Sequence, residues 1–168
     1  PELAIIMFGG NDAQGIVGPD GTAYQHVSDA GWQAEYARRV GLVMDDLRSE
    51  HRLVLWVGQP PMREAGFNGR IEILDRIYRE QAESRPWVTY VDTFPVFSDA
   101  QGRYVERLPG PDGDDVNLRQ DDGIHLSRGG ADRPVQQHAL ADLALDGMQR
   151  VQRVDRLLED HGDAVAAD

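Results

Sequence analysis

Apolar positions along the chain fall into two kinds of pattern. Leu3-Ala4-Ile5-Ile6-Met7-Phe8, Leu53-Val54-Leu55-Trp56-Val57 and Trp87-Val88-Thr89-Tyr90-Val91 are short runs with little or no polar alternation. Gly9-Gly10, Gly58 with Pro60-Pro61, and Asp92 cut them off in turn. Such runs suit strands covered on both faces, as in a parallel sheet. Between them the apolar residues recur at steps of three and four. Trp32, Tyr36, Val40, Val43 and Leu47 form one helical face, with Ser28 or Asp29 as its cap. Ile71, Leu74, Ile77 and Tyr78 repeat the pattern across 69–84. A last helical pattern runs from about 128 to 160 through Leu140, Leu143, Met148, Val151, Val154 and Leu158, with a break near Gly147. The alternation predicts a single α/β domain over 1–160, three layers deep, with a parallel sheet, right-handed crossovers and helices on both faces. The polar tail 161–168 is expected to be disordered. Loops that follow strand C-termini gather on one edge of such a sheet, where these folds place ligands.

Composition narrows the function classes. The net charge is −12, and all 17 basic residues are Arg. A surface this acidic repels phosphate backbones, so nucleic acid is not an expected partner. Without Lys there is no phosphate-loop lysine and no Schiff-base or pyridoxal chemistry. Without Cys there is no disulfide, thiol nucleophile or Cys-based metal site. No apolar run reaches the roughly 18 residues of a membrane span, and nothing calls for a cofactor. The chain starts at Pro1 rather than Met and enters a strand pattern almost at once. That start reads as a fragment or processed product.

Two short motifs can carry chemistry. Gly9-Gly10-Asn11-Asp12 follows a strand, and Asp122-Gly123-Ile124-His125 precedes the last helical pattern. An Asp three residues ahead of a His can accept the ring's Nδ1–H. That fixes the tautomer and leaves Nε2 to take a proton from a nucleophile. An Asn on a strand-end loop can turn its amide toward a developing oxyanion. Each motif alone is also ordinary turn composition, since Gly and Asn tolerate positive φ and Asp-Gly favours turns. Together, at the two ends of a strand–helix alternation, they are far more specific.

Gly9-x-Asn11-Asp12 resembles the third conserved block of the SGNH (GDSL-like) hydrolases, and Asp122-x-x-His125 resembles the fifth. Asp12-Ala13-Gln14, Trp32 with Tyr36, Val57-Gly58-Gln59-Pro60-Pro61-Met62 and Asp121 to Ser127 are similar to a bacterial subgroup long known only as a domain of unknown function. Related domains of that subgroup occur fused to membrane acyltransferases. The resemblance spans residues 3 to about 145. It implies a flavodoxin-like parallel sheet whose N-terminal strands are missing here, and hydrolysis of an acyl ester or acyl transfer to a sugar hydroxyl. His125 would be the general base, Asp122 its orienting partner, and Asn11 an oxyanion-hole donor. Gly9 would let the backbone turn toward the substrate, and Gln14, Gln59 and Met62 would form the pocket wall. The expected partner is a small ester or an acylated saccharide, and the family's work on envelope polymers points outside a bacterial cell.

The family's Gly-Asp-Ser block, which supplies the nucleophile, has no counterpart in this chain, nor has the second-block Gly. Ser127 reads as a helix cap, and Ser28, Ser49, Ser84 and Ser98 lack a strand-to-helix elbow. The fragment is therefore expected to be inert or nearly so. The strand at 3–8 would become a sheet edge that invites self-association. Two rivals stand beside this reading. Asp112, Asp114, Asp115, Asp121 and His125 suggest a metal loop, but Asn117 and Gly123 occupy the places where a calcium loop needs Gly and Glu. The other rival is a non-catalytic SGNH-like module that binds an acylated glycan or a partner protein.

Overall fold

Val54, Trp56 and Val88 alternate along their strands with Leu53, Leu55 and Val91, and all six are buried. A strand with both faces covered has no polar side to spare, which is why these runs lack alternation. The computed structural model describes residues 3–110 and 112–132. Its elements are β1 (Leu3–Ile6), β2 (Ile16–Val17), β3 (Ala23–Tyr24), α1 (Ala30–Asp46), β4 (Leu53–Val57), α2 (Ala65–Glu83), β5 (Val88–Val91), β6 (Arg107–Pro109), β7 (Asp115–Asn117) and α3 (Arg128–Ala131).

The three predicted strands form a parallel sheet in the order β1-β4-β5. Ile6 pairs with Trp56, and Val57 with Val91. Trp32, Tyr36, Val40 and Met44, one per turn of α1, join Ile71, Leu74, Ile77 and Tyr78 of α2 in one core against Val54, Trp56 and Val88. Full burial of each large side chain is worth about 1.5–3 kcal/mol. Both long helices therefore lie on one face. The sheet grows in one direction, β1 to β4 to β5, and right-handed crossovers then land on the same side. Most of the last helical pattern, 128–160, lies outside the described residues, as does the 161–168 tail. The opposite face carries its own buried cluster of Leu53, Leu55, Val57 and Val91.

Two elements begin or pair where the sequence pattern was silent. Helix α2 starts four residues ahead of the expected Gly69, because the Glu64 carboxylate caps it by accepting from the N–H groups of Gly66 and Phe67 at 2.8 and 2.5 Å. The polar stretch 98–126, which has neither a strand nor a helical period, contains the β6–β7 hairpin, with Leu108 opposite Val116. Along β1 Ile5 is 56% exposed and Leu3 is exposed as well, as are Met7 and Phe8 just after it. Among the described strands β1 pairs with β4 alone. No described helix is long and apolar enough to cross a membrane.

Candidate functional site

The loop after β1 is set by one backbone requirement. Gly9 has φ of 121°, and a Cβ there would sit 1.9 Å from the Tyr78 hydroxyl oxygen. Only glycine fits both the dihedral and the space. Gly10–Asp12 then forms a single 3-10 turn, closed by the Asp12 N–H donating to the Gly9 carbonyl at 2.8 Å. Tyr36 donates its hydroxyl proton to the Asp12 carboxylate at 2.8 Å. The two hydroxyl oxygens, of Tyr36 and Tyr78, lie 2.8 Å apart, and Tyr78 also faces the Phe8 carbonyl at 3.3 Å. Each phenol has one proton. With Tyr36's committed to Asp12, Tyr78's is shared between the Tyr36 oxygen and the Phe8 carbonyl. Burial, above all, pushes both phenols well above the ordinary tyrosine range, so both stay protonated donors. The Gln59 amide completes the clamp by donating to the Phe8 carbonyl at 2.9 Å. Asn11 stands on this turn with its side chain exposed and no hydrogen bond among the described residues.

The second motif closes on itself. One Asp122 oxygen accepts the backbone N–H groups of Ile124 and His125 at 2.8 and 3.0 Å, and the other faces His125 Nδ1 at 2.6 Å. The His125 side chain contact, followed by these two N–H groups, lowers the Asp122 carboxyl to about 2. Asp122 is thus an anion throughout the range where a histidine titrates, and it holds Nδ1 protonated. The His125 side chain is 70% exposed. Gly123, at φ 72°, would press a Cβ to 2.7 Å from the Arg63 side chain, so this turn also requires glycine.

Both loops fasten to the segment after β4. Arg119, fully buried, donates to the Ile124 carbonyl at 2.9 Å and to the Pro61 carbonyl at 2.8 Å. The Arg63 N–H donates to the Gly123 carbonyl at 3.3 Å. Gln59, two residues ahead of Pro61, holds the β1 loop. The loops that carry Asn11 and His125 are therefore both fastened to the segment that leaves the C-terminal end of β4, with no hydrogen bond between the two side chains among the described residues. The segment runs 59–63, and that is the bridge between them.

The family model described as Protein of unknown function (DUF459) matches residues 1–140, a span that contains both motifs and the bridge. The chain belongs to the DUF459 family. No curated protein matches it. Of the three residues expected in a pocket wall, two are buried in this DUF459 chain. Gln59 and Met62 are buried at 7% and 3% exposure, Gln59 as a strut and Met62 in the main core. Gln14 is exposed, and its backbone carbonyl accepts the Trp32 indole N–H at 2.7 Å. The sequence reading missed Tyr78 as a loop clamp, having placed it only on a helical core face. It missed Arg119 entirely, because a lone Arg beside Gln120-Asp121-Asp122 carries no sign of burial. Ser127 caps α3, accepting from the Gly130 N–H at 3.0 Å and donating to the Asn117 carbonyl at 2.6 Å.

Proposed function

We propose that this pair of loops is the base and oxyanion half of an SGNH-type serine esterase site. The observation that carries the reading is the Asp122–His125 contact at 2.6 Å, with an exposed imidazole beyond it. In the proposed reaction a serine Oγ attacks the ester carbonyl while His125 Nε2 takes its proton. The Asn11 amide donates to the tetrahedral oxyanion, and His125 then returns the proton to the departing alcohol. Water repeats the sequence on the acyl-enzyme, or a sugar hydroxyl does so in acyl transfer. Small esters and acylated saccharides fit this chemistry.

In this reading none of the chain's own serines is the nucleophile. Ser127 is committed to its cap, Ser98 donates to the Phe94 carbonyl and Ser84 to the Gln81 carbonyl. Ser28 and Ser49 flank α1, and no strand leads into either. The test is p-nitrophenyl acetate turnover by the longest natural form of the protein. His125→Ala should lower kcat by about 10³-fold or more, and Asn11→Ala by about 10²-fold. Turnover that survives His125→Ala at full rate would end the proposal. The same committed serines support a second reading, a non-catalytic module that holds an acylated glycan or partner protein. That reading predicts saturable binding of an O-acetylated saccharide with no acetate released. Self-association through the exposed β1 edge belongs to either reading, and sedimentation at two concentrations tests it.

A further inference from the structure

We propose that the cavity between α2 and β5 is a second binding site, for a small organic monocation that carries N–H donors. The inference goes beyond the esterase reading and does not rest on it. The cavity measures about 330 Å³ and is lined by Glu72, Asp75, Arg79, Tyr90, Asp92 and Phe94 among others. That volume is at the lower end of small-molecule sites, roughly 300–1,000 Å³.

Asp75 is 5% exposed, and one of its oxygens accepts the Gln59 backbone N–H at 2.8 Å. Its other oxygen and the Tyr90 hydroxyl are both buried with no hydrogen-bond partner among the described residues. Buried polar atoms are nearly always paired, so two orphans beside one cavity ask for a donor. The charges around them say which kind. Arg79 is engaged by Asp92 at 2.9 Å, and Arg76 by Glu80 and Gln33 at 3.0 and 2.7 Å. Glu72 receives the Asn68 amide at 2.6 Å and Asp75 a backbone N–H, so neither meets a cation in a hydrogen bond. The uncompensated charge is negative. Burial first, then repulsion from Asp92 and Glu72, pushes the Asp75 carboxyl up to about 7, against the pull of Gln59 N–H and Arg79. An ammonium or guanidinium would give Asp75 its counter-charge, meet the two orphan oxygens after a small turn of their side chains, and lay its apolar part against Phe94 and the edge of Tyr90, whose face already carries the Arg79 guanidinium. A bare metal ion would need several converging oxygen donors, and no such group occurs among the described residues.

Occupancy would be felt at the loop after β1, because Gln59 bonds Asp75 through its backbone and Phe8 through its side chain. The test is an NMR titration of the ¹⁵N-labelled chain at pH 8 with 2-phenylethylammonium. Phenylacetate and 2-phenylethanol serve as the anionic and neutral analogues. Saturable shifts at the Gln59 and Tyr90 amides are expected with the ammonium, about tenfold weaker binding with the alcohol, and none with the carboxylate. Asp75→Asn should weaken the ammonium about tenfold or more while the rest of the spectrum holds. Should that variant fail to fold, Tyr90→Phe keeps the ring and should weaken it about threefold. Equal binding of phenylacetate, no saturation up to about 10 mM, or unchanged affinity in the folded variants would overturn the site and leave orphan oxygens that take structural water only.

Discussion

The side chains that hold the Gly9–Asp12 turn come from far along the chain. Tyr36 reaches in from α1, Tyr78 from α2 and Gln59 from the loop after β4, across 24, 70 and 51 residues of sequence. The Asp122–His125 turn is closed by its own atoms, two and three residues apart, and is seated on the distant segment 59–63 through the neighbouring Arg119 and the Arg63 N–H. A turn that carries its own acceptor keeps its internal shape wherever it is placed. A turn assembled from three remote side chains has its shape only while the core that positions them is intact.

That contrast can be broken from either side, and the largest effect belongs to the first turn. Gly9→Ala adds a Cβ into the Tyr78 hydroxyl and forces a side chain onto φ of 121°. Overpacking and backbone strain each cost about 1–3 kcal/mol, so urea unfolding should show a loss of about 4 kcal/mol. Adding Tyr78→Phe removes the clashing oxygen and should recover roughly half of it. If Gly9→Ala is neutral, the clamp does not set the turn.

Arg119→Met is expected to come second. It leaves the Pro61 and Ile124 carbonyls without their donor, at a cost of about 2–3 kcal/mol. Its informative signature is local. Hydrogen exchange should speed up over 119–126, while the short Asp122–His125 contacts persist in NMR spectra. Loss of the His125 contact together with the seat would erase the distinction between the two turns.

The smallest effect is on stability and the clearest is on titration. In the wild type the Asp122 carboxyl carbon should titrate near 2. In His125→Ala it should rise toward the ordinary value of about 3.9, because the largest of its stabilising contacts is gone. A carboxyl lowered in this way adds stability that is present above the ordinary carboxylate range and lost as pH falls through about 2. The variant should therefore differ from wild type at neutral pH and converge with it in acid. An Asp122 that titrates alike in both proteins would mean that the two side chains do not pair in solution.

The same difference explains what could be read early. The three strands were legible because each is a run without polar alternation, and the two helices because Trp32, Tyr36, Ile71 and Tyr78 keep a helical period. The Asp122–His125 geometry was legible because its bonds span three residues. The β6–β7 hairpin was not, since three-residue strands with Asp115 and Arg107 exposed carry no hydrophobic signature. Gln59 and Met62 were expected at a pocket wall, and their burial decided their surroundings otherwise: a polar loop residue goes inward only when some distant carbonyl, here that of Phe8, awaits it.

By itself the sequence determined the three strands of the parallel sheet and the two long helices, and that an aspartate sits within reach of a histidine. These are local matters of period and short separation. Tertiary structure alone decided that Arg119 is buried, that Tyr78 closes a loop 70 residues away, and that residues 59–63 join both turns. Those facts depend on where the helices dock on the sheet. Docking is settled by the summed burial of many side chains, no one of which announces its partner.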